Sequence, residues 1–245
     1  MLSRKVLQRL ADQIELAERK VLAEIADGRA SQEDHVTGSL ITRIQDLVDE
    51  VDGVTIRVKT LPSAGQGAEE AQRGADIEGF IVIHVDDVQV RKGFLVQSKQ
   101  NNADGVRLNP PSEEDFGHWL YDGDLHLARS GSASVGLPSE HLAEQCEKML
   151  GQSPASYVWI YSADQVGVVS ASAIRAARGK PKRAPRTPLG TKTLADFFVH
   201  LAQSYLGDER LAPTFSVEEA SLQSSSRAQI FVTIEGQREL PQAAI

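Results

Sequence analysis

A lysine at the end of an otherwise apolar stretch is the first feature of this sequence that suggests chemistry. The stretch is GFLVQSKQN, residues 93–101, and it combines Gln97 with Lys99. Side chains alternate between the two faces of a strand, so Gln97 and Lys99 point to the same face. An amide and an ammonium group are therefore expected side by side at one end of a strand.

Asp76 opens the preceding apolar stretch, DIEGFIVIHV, which is predicted to pair with KGFLVQSKQ as a hairpin that turns at Asp86 and Asp87. Residues 76 and 97 then lie opposite each other, because their numbers have the same sum as 86 and 87. One carboxylate, one amide oxygen and one ammonium group converge at one end of the predicted sheet.

This set of groups suits a hard divalent cation and a phosphate. Mg²⁺ prefers oxygen ligands and keeps several waters, so the Asp76 carboxylate, the Gln97 side-chain oxygen and a nearby backbone carbonyl, assigned to Ser98, would supply part of its shell. Lys99 would lie beside a cation-bound water and neutralise charge that develops on an attacked phosphate. Phosphodiester hydrolysis is the reaction that these groups suit best.

The segments RGADIEGFIVIHV and GFLVQSKQ resemble the active-site hairpin of the PD-(D/E)XK nuclease superfamily, and they are similar to its Mrr-like branch, in which glutamine gives Q-x-K. The resemblance spans about residues 31–170. It implies that Asp76 binds the metal, that Gln97 completes the site and that Lys99 is catalytic. It also implies a metal-binding glutamate on the preceding core helix, and Glu33, at the start of that helix's apolar face, is the candidate.

The same resemblance implies DNA as the substrate and Mg²⁺ or Mn²⁺ as the cofactor. It further implies work with a partner protein in restriction or anti-phage defence. Because Gln97 removes one negative charge, a catalytically inactive nuclease-fold subunit that binds DNA or acts as a scaffold is an alternative. A second alternative is an interaction protein whose acidic surface binds another protein. RNA as the substrate is also open.

The charge distribution bears on the substrate. The net charge is -8, yet residues 175–192 contain seven basic residues and no acidic one, which leaves 19 basic against 34 acidic residues elsewhere. The prolines and glycines of this segment predict an extended loop that either follows a phosphate backbone or is simply solvated. The resemblance favours DNA contacts, for which the candidates are Arg175, Arg178, Lys180, Lys182, Arg183 and Arg186.

The helices and strands that must position these residues are predicted to form an α/β fold with a restriction-endonuclease-like core. In this fold, helices flank a central mixed sheet, and an N-terminal helix is added. Helices are predicted at 3–26, from Ser31, at 138–150 and at 191–206. Strands are predicted at 54–60, 76–85, 92–100, 156–162, 166–170 and 229–236. Residues 101–124 are predicted to form a loop or insertion over the core.

Three parts are predicted: the N-terminal helix (1–28), the nuclease-like core (29–174), and a basic loop, amphipathic helix and strand packed on that core (175–245). The N-terminal helix carries a short apolar seam, which predicts either a homodimer or packing on its own domain. The single cysteine, Cys146, is expected in a helix core, and it favours a reducing cytoplasm. No apolar run reaches the length of a membrane helix, so no membrane partner is expected.

Overall fold

The computed structural model describes the chain in segments. The described residues are 3–27, 33–48, 54–60, 74–85, 88–101, 106–109, 132–135, 138–178, 187–203, 206–211 and 228–236.

The predicted helices and strands are present in the predicted order. Two loop predictions are wrong in part: residues 106–109, within the predicted loop 101–124, form a strand, and the basic segment begins in a helix and contains a strand at 187–190. The helices are α1 (Arg4–Ala26), α2 (Glu33–Val48), α3 (Glu140–Gln152), α4 (Ala171–Ala176) and α5 (Leu194–Ala202), with a 3-10 turn at Glu209–Leu211. The strands are β1 (Val54–Thr60), β2 (Ile77–Val85), β3 (Val88–Gln100), β4 (Val106–Asn109), β5 (Ser132–Val135), β6 (Ser156–Tyr161), β7 (Val166–Ser170), β8 (Thr187–Gly190), β9 (Lys192–Thr193) and β10 (Ala228–Gly236). None of the described helices is long and apolar enough to cross a bilayer.

The strands form a mixed seven-stranded sheet in the order β1-β10-β2-β3-β6-β7-β9 and a separate three-stranded sheet, β4-β5-β8. In the larger sheet, β3 pairs antiparallel with β2 and parallel with β6. Strand β10 lies between β1 and β2 and runs parallel to β2. The predicted α/β class with a central mixed sheet is confirmed. The third predicted part, 175–245, contributes β9 and β10 to that sheet.

Helices cover both faces of the large sheet, as predicted. Helices α1, α2 and α5 pack on the face that contains Val96 and Trp159, whereas α3 and α4 pack on the face that contains Leu95. Because side chains alternate along β3, Gln97 and Lys99 lie on the α3 side of the sheet. Apolar helix faces therefore enclose the strand that carries the candidate site.

The N-terminal helix packs on its own chain. Ser3 caps α1 by accepting a hydrogen bond from the backbone N–H of Val6 at 3.3 Å. Its seam is buried beside α2 and α5 and consists of Leu7, Leu10, Ile14, Ala17 and Val21. A surface that is buried within one chain is not available to join two chains. The apolar seam therefore does not support the predicted homodimer. The N-terminal helix instead packs on its own domain, which is the other predicted alternative.

Helix α1 also carries a buried carboxylate, Glu18, which is attached to the sheet. Its Oε1 accepts a hydrogen bond from the backbone N–H of Val166, at the start of β7, at 2.6 Å. Burial raises the pKa of the Glu18 carboxyl to about 7, and the Val166 hydrogen bond opposes that shift only in part. The folded protein thus holds the Glu18 proton more tightly than the unfolded chain does.

We expect the Glu18→Gln variant to be more stable than the wild type above pH 7 and about equally stable at pH 4.5. Protonation of Glu18 increases the free energy of unfolding of the wild type. This contribution is fully present below the ordinary pKa of 4.5 and is lost as the pH rises through about 7. A shift of this size corresponds to at most about 3 kcal/mol. Chemical unfolding of both proteins between pH 4.5 and 8 measures the difference.

The matched control is Glu144→Gln, which removes an exposed carboxylate from α3. It should leave the pH dependence of unfolding as in the wild type. Parallel curves for the wild type and Glu18→Gln would show that folding does not raise the pKa of the Glu18 carboxyl.

Candidate active site

The hairpin of β2 and β3 has the predicted register. Its pairs run from Ile77 opposite Val96 to Val85 opposite Val88. Asp76 lies just before β2, and its backbone N–H donates to the carbonyl oxygen of Val96 at 2.9 Å. The predicted position of Asp76 beside Gln97 is confirmed, whereas the turn predicted at residues 86 and 87 lies outside the described residues.

Asp76, Gln97 and Ser98 form a buried polar cluster at this end of the sheet. Their exposed fractions are 7%, 2% and 1%. Asp76 Oδ2 accepts a hydrogen bond from Gln97 Nε2 and another from the backbone N–H of Ser98 at 3.0 Å. Gln97 Nε2 also lies 3.4 Å from the carbonyl oxygen of Ser98. The Gln97 amide thus contacts both the Asp76 carboxylate and the Ser98 carbonyl, but it does so through its nitrogen and not through the oxygen that the sequence predicted as a cation ligand.

Lys99 is a buried lysine, with an exposed fraction of 8%. Burial raises the pKa of the Cys146 thiol to about 12, and the positive charge of Lys99 opposes that shift in part. Cys146 is a buried residue of α3, as predicted, and is held in its thiol form. Lys99 lies on the same side of the sheet as α3, at the end of β3.

Glu33 is the first residue of α2, and its side chain lies outside the described part of the chain. Thr37, one helical turn later, reaches the candidate site through Ser98. The start of α2 thus lies beside β3, but on the face of the sheet opposite Gln97 and Lys99.

Thr37 and Tyr161 are site residues that the sequence analysis missed. Thr37 Oγ1 donates to Ser98 Oγ at 3.1 Å and forms a second hydrogen bond, also at 3.1 Å, with the Tyr161 hydroxyl. All three side chains are buried and lie on the sheet face opposite Gln97. This network joins α2, β3 and β6 directly behind the peptide N–H that binds Asp76. A sequence signal existed, since Thr37 lies one turn after Glu33, but no pattern pairs it with Tyr161.

We expect Thr37→Val to lower stability by about 1–2 kcal/mol, because Ser98 and Tyr161 each lose a buried hydrogen bond. Thr37→Ser, which keeps the hydroxyl, should retain most of that stability. Thermal unfolding measures the difference. The matched control is Thr42→Val, an exposed change on the same helix, and an equal loss of stability in both variants would show that the buried network adds nothing.

Gly74 fixes the segment that leads to Asp76. Its φ is 72°, and a Cβ atom added there would lie 2.4 Å from the backbone oxygen of Gln145 on α3. Only glycine fits both this backbone conformation and this close approach. The backbone of α3 therefore sets the position at which the chain enters β2.

The basic segment is described only at its two ends. Arg175 is exposed on α4. Arg178 forms ion pairs with Glu140 and with Glu147 of α3, the latter at 2.7 Å. The other predicted DNA contacts, Lys180, Lys182, Arg183 and Arg186, lie outside the described residues.

The site offers a cation fewer charged groups than a typical metal centre. Within the described ranges, no group of three or more His, Cys, Asp and Glu side chains is arranged to hold a metal ion. Glu78, buried at 6% exposure, lies opposite Leu95, one same-face position further along the hairpin. However, Gln97 Oε1 is buried without a hydrogen-bond partner among the described residues. A buried, unpaired carbonyl oxygen fits a hard cation as a ligand, but in this arrangement the amide nitrogen, and not this oxygen, faces the Asp76 carboxylate.

Comparisons with known proteins assign no family to this chain. No protein-family model matches the chain. No curated protein and no solved structure matches it either.

Proposed function

We propose that the protein is a metal-dependent DNA endonuclease with a PD-(D/E)XK-type site of the Mrr-like Q-x-K form. One observation carries the proposal: Asp76, Gln97 and Lys99 are all buried at the same end of adjacent strands, and Gln97 contacts the Asp76 carboxylate. Buried polar and charged groups are costly to a fold, and they cluster where chemistry requires them.

Each residue has a role in this proposal. Asp76, Gln97 and the carbonyl of Ser98 would hold Mg²⁺ or Mn²⁺, which, when bound, would supply an activated water and polarise the phosphate. Glu33 would have to reach past the end of β3 to join them, because its helix α2 packs on the opposite face of the sheet. Lys99 orients that water and offsets the negative charge that develops on the phosphate in the transition state. The N–H of Ser98, backed by Thr37, keeps the Asp76 carboxylate in a fixed orientation.

The basic segment would supply DNA affinity that does not depend on sequence. Arg175 is exposed, and lysines and arginines that contact phosphates make binding sensitive to salt. Arg178 is already paired with Glu140 and Glu147, so its contribution requires exchange of these partners. The proposal includes a role in restriction or anti-phage defence. A partner protein would recognise the signal that triggers cleavage.

A second function is favoured by the same hydrogen bond. Gln97 donates to Asp76 where most nucleases of this type place a second carboxylate, so the charge that attracts a cation is reduced. A nuclease-fold subunit without catalysis, which binds DNA or another protein, would tolerate this arrangement.

The test is cleavage of supercoiled plasmid, linear duplex, single-stranded DNA and RNA by the purified full chain, with Mg²⁺, Mn²⁺ or a chelator. We expect nicking or linearisation of DNA that requires the cation. Asp76→Asn, which removes the negative charge but keeps the shape, serves as the control against a contaminating nuclease.

Each result separates the proposed functions. Cleavage of RNA alone would change the substrate class and keep the site. DNA retention that salt weakens, without cleavage under any cation, would favour the inactive subunit. If the protein neither cleaves nor retains any nucleic acid, the nuclease and a DNA-binding subunit are both contradicted. That result would favour a protein-binding role.

A further inference from the structure

We propose that α3 restrains the basic segment (residues 175–192): Glu140 and Glu147 occupy the Arg178 guanidinium in the free protein, and DNA phosphates compete with these carboxylates for it. This inference rests on the DNA binding of the proposed function, and not on cleavage, and it adds an autoinhibitory contact to that binding. The position of Arg178, the use of its N–H groups and the charge around it carry the inference.

Arg178 lies where the basic segment leaves the folded core. The residue before it, Ala177, is 1% exposed, and Ile174 is fully buried in the apolar cluster that joins α4 to α3. The backbone N–H of Arg178 donates to the carbonyl oxygen of Arg175 at 3.0 Å. The Arg178 side chain therefore reaches α3 from an anchored backbone.

Both terminal nitrogens of the Arg178 guanidinium are in use. Nη2 pairs with Glu140, the first residue of α3, and Nη1 lies 2.7 Å from Oε1 of Glu147, two turns later. Arginine recognises a phosphate best through two parallel N–H groups, and every such pair includes at least one of these nitrogens. A DNA phosphate can therefore bind Arg178 in this way only when at least one carboxylate leaves.

The two ion pairs are weak enough to be exchanged. The side chains of Arg178, Glu140 and Glu147 are 35%, 68% and 48% exposed. Water and salt screen ion pairs at such exposure, and each pair typically changes an equilibrium constant by only about 1.4- to 5-fold. A polyanion can therefore overcome this contact without unfolding the core.

Charge explains why phosphates compete at this position. The basic segment holds seven basic residues and no acidic one, so a polyanion gains favourable interactions along it. The exposed positions of α3 carry three glutamates against one lysine: Glu140, Glu144, Glu147 and Lys148. Carboxylates repel phosphates. Arg178 thus ties the start of the basic segment to an acidic surface, and DNA that takes Arg178 must break that tie.

The test measures binding of a fluorescently labelled, mixed-sequence DNA duplex to the full-length protein by anisotropy in EDTA, which prevents cation-dependent cleavage. Glu140→Gln and Glu147→Gln each remove one charge and keep the shape of the side chain. The matched control is Glu144→Gln, which removes the same charge from the same helix but from neither ion pair. We expect each of the first two variants to bind the duplex about two- to fivefold more tightly than this control.

Arg178→Gln assigns the effect to the ion pairs. In this background, Glu147→Gln should tighten binding no more than Glu144→Gln does, because no ion pair remains to be broken. Arg178→Gln alone should weaken binding and lower the slope of log affinity against log salt by about 0.9, as the loss of one phosphate contact requires. Arg210→Gln, which removes an arginine paired with Asp208, is the matched control and should keep the wild-type slope.

The outcomes distinguish this inference from the proposed function. Equal affinities of Glu147→Gln and Glu144→Gln would overturn the restraint and leave DNA binding and cleavage intact. An advantage of Glu147→Gln that persists in the Arg178→Gln background would also overturn it, because another interaction would then be responsible. If neither the wild type nor any variant retains the duplex, DNA binding itself is contradicted, and the restraint with it.

Discussion

Replacing Lys99 with methionine should lower DNA cleavage by about 1,000-fold while the protein still folds and still retains DNA. Methionine fills the space of the lysine stem but carries no charge, so the variant removes the ammonium group alone. Positioned groups that assist proton transfer contribute about 10²- to 10⁴-fold, and preorganised charges at a developing anion contribute similar factors. Because Lys99 is buried at the end of β3, water cannot replace its charge at the same place.

The measurement compares single-turnover cleavage rates and DNA dissociation constants of the wild type and Lys99→Met at equal folded fraction. The loss should fall on the rate and spare DNA affinity, since the proposal assigns that affinity to the exposed basic residues. Lys148→Met, at an exposed position of α3, is the matched control and should cleave normally. Full activity of Lys99→Met would remove Lys99 from the reaction and, with it, the main support for hydrolysis at this site.

The register of the candidate site could be predicted from the sequence because local rules determine it. A turn predicted at residues 86 and 87 implies which residues oppose each other, and the two-residue period of a strand fixes which face each side chain occupies. The structure pairs Ile77 with Val96 as these rules require. The burial of Lys99 depends instead on the helical layers on both sides of β3, which the residues of the strand do not reveal.

Long-range pairing could not be predicted in the same way. Strand β10 is recognisable as a strand, but nothing in its residues indicates that it inserts between β1 and β2. Strands β4 and β5 are only four residues long, too short for their residue pattern to indicate a strand. Strand β5 pairs with β4 on one side and with β8, from the basic segment, on the other. Likewise, the contact of Thr37 with Tyr161 joins residues 124 positions apart. Such contacts depend on how the layers stack, which a local pattern does not encode.

Replacing Gly74 with alanine should destabilise the protein by about 2–5 kcal/mol and abolish most of its cleavage activity. A left-handed conformation costs a residue other than glycine about 1–2 kcal/mol, and overpacking against a rigid neighbour typically adds about 1–3 kcal/mol. The neighbour here is backbone, since the added Cβ would lie 2.4 Å from the oxygen and 2.9 Å from the Cα of Gln145. A helix backbone cannot rotate away as a side chain can, so the segment entering β2 must move instead.

That movement reaches the chemistry because Asp76 lies only two residues after Gly74. A shift of about 1 Å in a catalytic group can lower a rate about 100-fold even without loss of the group itself. Chemical unfolding and cleavage at a temperature where the variant remains folded separate the two effects. Gly151→Ala is the matched control, since nothing lies within 4 Å of its added Cβ, and alanine there should stabilise the last turn of α3 by up to about 1 kcal/mol. A Gly74→Ala variant that is less stable but cleaves normally when folded would show that Gly74 supports the fold without positioning Asp76.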